Sequence, residues 1–163
     1  MQMHRIFTRH RAVASNERLQ IPLIKHCIRA TLQAEGVDVP CELSVLITDD
    51  KGIKNLNRDY RGVNSSTDVL SFPMLEYSAP GWDARMPDVA LSADGVLPFG
   101  DIVLSAEKIK EQAKENGNTR ERETAYLTIH SVLHLLGYDH VDEGEGKQQM
   151  REREKAILSE LGF

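Results

Sequence analysis

The sequence predicts an α+β fold in which helices cover a small mixed sheet. Segments with apolar residues at helical spacing and short segments of strand character follow one another in mixed order. The 163 residues contain no internal repeat and no compositional boundary, so we expect one domain over 1–163. The composition, 40% hydrophobic and 28% charged, is that of an ordinary globular protein.

The first part of the chain predicts a strand, a helix and a second strand. HRIFTRHRAV (4–13) predicts the first strand. Residues 20–35 predict the helix, because apolar side chains recur at helical spacing, Pro22 falls in the tolerated first turn and Gly36 follows the end. The alternating and β-branched CELSVLIT (41–48) predicts the second strand.

The middle of the chain predicts a helix, a turn, a third strand and a long loop. One of the two aspartates at 49–50 caps a helix that runs to about Tyr60. RGVNSSTD (61–68) has the composition of a turn. VLSFP (69–73) predicts a short strand, and the proline places it at a sheet edge. Residues 76–99 have little periodicity, which predicts a long irregular loop.

The last part of the chain predicts one buried strand followed by three helices. GDIVLS (100–105) is the strand, and its final serine caps a helix over 106–116. Thr119 caps the next helix, which stops at Gly137. A final helix occupies 142–161, with the first residue of that range, an aspartate, as its cap.

Charge and cysteine content restrict the functional classes. The net charge of −5 argues mildly against a nucleic-acid binder, although residues 1–30 are rich in basic side chains and allow a local basic surface. Cys27 and Cys41 have no CxxC spacing, so we expect reduced packing residues rather than a disulfide framework or thiolate metal site. No signal peptide or membrane-length apolar run is present, and we expect a cytoplasmic protein.

The stretch HSVLHLLGYDH (130–140) predicts a metal site. His130 and His134 are one helical turn apart, so both point to one side of a helix that carries no charge from Thr124 to Tyr138. Imidazoles on such a buried helix need partners for their ring nitrogens. A metal ion would serve both, whereas the alternative is a pair of hydrogen-bonded core histidines.

Gly137 allows a third histidine to join the first two. A glycine just past a helix can adopt the left-handed conformation and reverse the chain, which would bring His140 toward His130 and His134. Three imidazoles with an open fourth position are typical of catalytic zinc, although nickel, copper or iron would also be accepted. The spacing is that of the long zinc motif of metzincin proteases, but Ser131 replaces their glutamate base.

Arg61 is a second candidate, because a guanidinium can bind phosphate oxygens in a bidentate manner. The alternative is a solvated turn residue, and nearby Asp59 could pair with it. Ser65, Ser66 and Thr67 are most simply turn formers, although their hydroxyls could also contact phosphate.

Four motifs together, YRG, TDVLSFP, GDIVLS and HSVLHLLGYDH, resemble the YbeY family of bacterial ribosomal-RNA maturation factors, over roughly Leu43 to the C-terminus. The resemblance implies a compact fold with a metzincin-like zinc helix. It implies a metal-dependent, single-strand-specific endoribonuclease that acts in maturation of small-subunit ribosomal RNA and in ribosome quality control. Its implied partners are single-stranded ribosomal RNA and the small ribosomal subunit, with neither DNA nor membrane.

The resemblance also implies roles for particular residues. His130, His134 and His140 match the metal triad, which would hold one zinc ion, and Arg61 matches the essential arginine. We expect Arg61 and His130 to serve catalysis. The chain departs from the family pattern at Ser131, where glycine is usual, and at Ser66, where proline is usual.

The general base could be Asp139, Asp142 or hydroxide at the metal, and Asp101 and Asp139 are candidate partners of the histidines. Two other functions compete with a nuclease. One is a ribosome-assembly factor with a structural metal, and the other is a metallopeptidase or other metal-dependent hydrolase.

Overall fold

The computed structural model describes residues 4–77, 79–82, 94–139 and 144–163. In this part of the chain, four strands lie at β1 (Arg5–His10), β2 (Cys41–Thr48), β3 (Val69–Pro73) and β4 (Leu97–Ser105). Five α-helices lie at α1 (Ile21–Ala34), α2 (Asp50–Arg61), α3 (Ala106–Asn116), α4 (Arg120–Leu135) and α5 (Glu145–Glu160). The predicted α+β class is therefore confirmed.

The four strands form one mixed sheet in the order β1-β2-β4-β3. β1, β2 and β4 are parallel, whereas β3 pairs antiparallel with β4 and occupies the predicted edge. Alternation along each strand gives the sheet two faces. Leu43 and Ile102 join the main core with residues of α1, α4 and α5, while Leu46 and Val103 pack with Ile53 of α2 on the opposite face.

Helix α4 is the most buried helix of the described chain, as its uncharged run predicts. Ten of its sixteen residues are buried, and Ile129, Val132 and Leu133 have no exposed surface. A helix held this firmly gives its few polar side chains fixed positions. It therefore provides a rigid base for the two histidines that it carries.

The predicted N-caps are present in three helices. The side chains of Asp49, Ser105 and Thr119 accept hydrogen bonds from backbone N–H groups three residues ahead, at 2.8, 3.2 and 3.1 Å. Both cysteines are buried free thiols, as expected. No helix in the described ranges combines the length and apolar character that crossing a membrane requires.

Element boundaries differ from the prediction at several places, and β1 ends at His10 rather than at residue 13. β4 begins at Leu97, three residues earlier than expected, because Leu97 pairs with Cys41 of the parallel neighbour. α5 begins at Glu145 with Gly144 at its N-cap, and the predicted cap Asp142 lies outside the described residues. Of the predicted loop, residue 78 and residues 83–93 likewise lie outside them.

Candidate active site

A cavity of about 750 Å³ opens beside the end of α4. Its wall includes His130 and His134 from α4, Arg61 from the end of α2, Asp139 from the turn after α4, and residues of β3. The structure thus brings two of the three predicted metal ligands and the candidate arginine to one space. The third predicted ligand, His140, lies outside the described residues.

The two histidine rings meet edge to face. Their centroids lie 4.5 Å apart at an interplanar angle of 86°, and Nε2 of His134 lies 3.0 Å from Nε2 of His130. This separation is close to the roughly 3.3 Å between two nitrogens on one tetrahedral zinc ion. The one-turn spacing on α4 therefore directs both Nε2 atoms to a common point.

The other nitrogen of each ring has an acceptor. Nδ1 of His134 lies 2.9 Å from the carbonyl oxygen of Tyr138, and Nδ1 of His130 lies 2.6 Å from Oε1 of Glu154. A carbonyl and a carboxylate both accept, so both Nδ1 atoms donate a hydrogen. In neutral rings the hydrogen is then absent from Nε2, which presents a lone pair.

Two lone pairs facing each other at 3.0 Å repel unless a cation lies between them. A proton or a metal ion can fill that role, and imidazole Nε2 with an acceptor on Nδ1 is the usual arrangement of a metal-binding histidine. The donors at His130 and His134 therefore fit a metal such as zinc. The described residues contain no group of three candidate ligands.

The turn after α4 has the predicted left-handed glycine. Gly137 has φ of +88°, and the N–H of Tyr138 donates to the Leu133 carbonyl at 3.1 Å. This turn points the Tyr138 carbonyl back at His134 and brings Asp139 to the cavity. A Cβ on Gly137 would lie 2.9 Å from the Tyr77 side chain, so the position has no room for one.

Arg61 is the last residue of α2 rather than part of the predicted turn. The turn begins at Gly62, whose φ of +71° ends the helix. The expected competition from Asp59 is also wrong, because that carboxylate accepts from Nε of Arg58 at 3.0 Å. Among the described residues, no acidic side chain pairs with Arg61, so its guanidinium is available to an anion.

Glu154 is the site residue that sequence reasoning missed. It lies on α5, is 5% exposed, and contacts His130, whose other side stacks on Tyr126 with centroids 5.7 Å apart. Burial and Glu154 raise the pKa of Tyr126 to about 12. The available signal was an acid at a helical core position, between buried Met150 and Ile157.

Asp101, a candidate partner of the histidines, lies elsewhere, and Ser131 provides no base, as expected. Asp101 does not line the cavity but faces the α2 side of the sheet, where burial raises its pKa. Ser131 is fully buried, and its hydroxyl donates to the Leu127 carbonyl at 2.7 Å. It presents no proton acceptor to the cavity. Asp142 lies outside the described residues.

Comparison with known proteins covers nearly the whole chain. A family model described as "Endoribonuclease YbeY" matches residues 6–162, which extends the resemblance seen in the sequence to the first strand. A protein of that name from Caldicellulosiruptor bescii is 53% identical over 140 residues, covering 86% of this chain and 83% of its own. One from Clostridium botulinum strain Hall is 46% identical over 167 residues, covering 97% of both.

A solved structure shares the fold. The solution structure of TM1509 from Thermotoga maritima matches with a TM-score of 0.60 and 28% sequence identity. The match covers 95% of this chain and 87% of that one. The mixed sheet with its helices is thus found in a relative whose sequence has diverged considerably.

Proposed function

The chain belongs to the endoribonuclease YbeY family, a family of hydrolases that act on RNA, and from this premise we propose that it cleaves single-stranded ribosomal RNA with the help of a metal ion. One observation supports the metal above all. The Nε2 atoms of His130 and His134 converge at 3.0 Å while both Nδ1 atoms have acceptors. Arg61 lines the same cavity and has the right chemistry for phosphate.

His130, His134 and His140 would hold one zinc ion and leave a position open for substrate. His140 follows Asp139 directly, and Asp139 already lines the cavity. When bound, the ion supplies Lewis-acid polarisation of a phosphate oxygen. The protein's share is to fix the two rings on a buried helix and to hold their tautomers through Glu154 and the Tyr138 carbonyl.

Arg61 would bind the scissile phosphate and offset the negative charge that develops during cleavage. Arg61 lies at the end of α2 and lines the same cavity as His130 and His134. The nucleophile can be the 2′-hydroxyl of the RNA itself, and Asp139 is the described carboxylate closest in sequence to the triad that can take its proton.

The ribosomal role is the finer part of the proposal. The family pattern supports maturation of small-subunit ribosomal RNA and ribosome quality control as the setting, with the small subunit as partner and the cytoplasm as location. A single strand is favoured because unpaired bases can stack on an exposed aromatic ring such as that of Tyr60, which lines the cavity.

The test is cleavage of a single-stranded ribosomal-RNA fragment by the wild type and by Arg61→Ala, after their zinc contents have been measured and matched. Arg58→Ala is the control, because Arg58 lies one turn earlier on the same helix and pairs with Asp59. We expect loss of cleavage only in Arg61→Ala. Equal rates in all three proteins would contradict the proposal and favour a non-catalytic assembly factor with a structural metal.

Peptidase action is not favoured by the site. The position that holds the glutamate base in metzincin proteases is Ser131, which is buried and bonded to a backbone carbonyl. The described wall does contain two carboxylates, Asp68 and Asp139, but neither stands at that position next to His130.

A further inference from the structure

Four residues form a straight row across the sheet. Phe7 of β1 pairs with Ser44 of β2, Ser44 pairs with Asp101 of β4, and Asp101 pairs with Phe72 of β3. Paired residues point to the same face of a sheet. This face is the one that α2 covers only in part, since Phe7 is 56% exposed and Ser44 is exposed. We call these four residues the sheet row.

The sheet row connects to the candidate active site. Tyr60 and Phe72 line both the cavity with the histidines and a groove of about 360 Å³ on the open face. Ser44 and Leu46 line this groove and also the next depression, which reaches Phe7. The surface therefore runs without interruption from the histidines, past two aromatic rings, to the first strand.

Aromatic rings stand at both ends of this surface. Tyr60 is 72% exposed, and its ring lies against Phe72 edge to face at 5.7 Å. Phe7 lies three strands away, roughly 14 Å from Phe72 at about 4.8 Å per strand. Contiguous exposed apolar surface, such as the groove that joins these rings, often marks a binding site. Rings on a sheet surface are the usual stacking platforms for unpaired bases.

The charges along the surface suit a nucleic-acid backbone. Arg9 borders the depression at Phe7, and Arg61 borders the cavity. No acidic side chain of the described chain pairs with either guanidinium, whereas Arg5 on the same strand is paired with Asp94 and Glu42. One cation available to phosphate thus stands at each end. Between the rings, the hydroxyl of Ser44 and the carboxylate of Asp101 can meet the hydrogen-bonding edges of bases.

We propose that the sheet row is the track of the single-stranded RNA on its way to the histidine cavity, with one base stacked on Phe7, another on the Tyr60 and Phe72 pair, and a phosphate at Arg9. This inference rests on the proposed function and names the substrate path for it. RNA explains the surface better than a protein partner does. An arginine at each end suits a chain of phosphates, and the apolar groove between the rings, which Leu46, Leu56 and Val103 also line, can accept the faces of bases.

The test compares a short and a long RNA. An oligonucleotide of about four nucleotides fills the cavity and reaches only the Phe72 end of the sheet row, whereas one of about sixteen also reaches Phe7 and Arg9. Binding of fluorescein-labelled RNA is measured by anisotropy in EDTA, so that binding is read without cleavage. The proteins are the wild type, Phe7→Ala and Arg9→Gln. Phe163→Ala, at a 37% exposed ring on the C-terminal residue, and Arg151→Gln, at an exposed arginine of α5, are the matched controls.

We expect Phe7→Ala to weaken binding of the long RNA about tenfold, because one stacked base is lost, and to leave the short RNA unchanged. Arg9→Gln should reduce the slope of log affinity against log salt by about one for the long RNA only. The controls should match the wild type. Unchanged binding of the long RNA in Phe7→Ala overturns the track, as does an equal loss for both lengths.

The binding test can be decided whether or not the proposed nuclease function is correct. Cleavage of the short RNA by Phe7→Ala at the wild-type rate supports a track outside the reacting centre. If the wild type cleaves neither RNA, the nuclease proposal fails, and the length-dependent binding loss still decides whether RNA lies on the sheet row. Capture of a ribosomal protein that is lost in Phe7→Ala, with RNA binding intact, would contradict the track and assign this face to a protein.

Discussion

Glu154 holds His130 from a different helix. Its carboxylate lies 2.6 Å from Nδ1 of the imidazole and is 5% exposed, so the contact joins α5 to α4 inside the protein. An acid buried to this degree is costly unless it is well partnered. His130 gives it a donor, and a metal on the far side of the ring would strengthen that partnership by making the ring more acidic.

Glu154→Gln should therefore weaken zinc binding by about 10- to 100-fold, since the amide still accepts a hydrogen bond but lacks the charge. Glu152→Gln, an exposed acid on the same helix, is the control. Competition with a chromophoric chelator measures the affinity. Equal zinc affinity in Glu154→Gln and the wild type would show that the carboxylate does not orient the ring for a metal.

Gly137→Ala should damage the metal site as well as the turn. The left-handed φ alone costs about 1–2 kcal/mol for a residue with a Cβ, and the Tyr77 ring adds a clash at 2.9 Å. Relief of the clash moves the Tyr138 carbonyl away from His134. Gly36→Ala is a matched control, because its φ is +72° and nothing lies within 4 Å of the added Cβ.

Both glycine variants should lower the melting temperature, but only Gly137→Ala should also lose zinc affinity. Calorimetry gives the first quantity and chelator competition the second. A loss of zinc affinity in Gly36→Ala as large as in Gly137→Ala would indicate general destabilisation instead.

Zinc should stabilise the folded protein through the histidines. At a free zinc concentration about 100 times the dissociation constant, one bound ion adds about 2.7 kcal/mol to the free energy of unfolding. For a chain of this length, that corresponds to a rise in the melting temperature of roughly 5–10 °C. His134→Ala should abolish this rise and the cleavage activity together. A full zinc-dependent shift in His134→Ala would place the metal elsewhere.

Stability of the metal-free protein should fall on acidification because of two histidines far from the cavity. Nε2 of His10 accepts from the Leu19 N–H and Nδ1 of His4 accepts from the Cys41 N–H, both at 3.1 Å. Burial first, and then Arg18 and Arg29 respectively, lower the pKa of both rings. These two histidines therefore bind protons more readily in the unfolded chain than in the folded protein. The stabilisation that these two rings contribute is fully present above the unfolded pKa of about 6.5, and it declines as pH falls below that value.

Urea unfolding in EDTA at about pH 7.5 and 5.5 measures this dependence. His10→Gln should show a smaller loss between the two pH values than the wild type, and His26→Gln, at an exposed histidine of α1, should behave like the wild type. An unchanged pH dependence in His10→Gln would rule out this ring as a contributor. The cavity histidines are common to all three proteins and cancel in the comparison.

Local signals predicted most of the fold. A cap such as Asp49, Ser105 or Thr119 acts within three residues of itself, and the chain shows each one where the sequence suggested. Errors arose where a distant partner decides the outcome. β4 starts early because Cys41, more than fifty residues upstream, supplies its pairing edge at Leu97.

In the candidate site, too, the features set by local sequence could be predicted and those set by distant partners could not. The one-turn spacing of His130 and His134 and the glycine after them could be read directly, and the structure brings both rings to one cavity with Arg61. Glu154 could not be assigned to His130, because nothing in a sequence tells which residue of α5 faces which residue of α4. Asp101 was misplaced because strand alternation puts it on the other face of the sheet.

The contact between α4 and α5 also has a consequence for the time during synthesis at which the enzyme becomes complete. His130 is made 24 residues before Glu154, and the carboxylate arrives only with α5. A chain that stops short of this helix can place its histidines on α4 but cannot orient the first of them. The contact that orients His130 can therefore form only after α5 has been made, so during synthesis the histidine pair exists before the carboxylate that holds one of its rings.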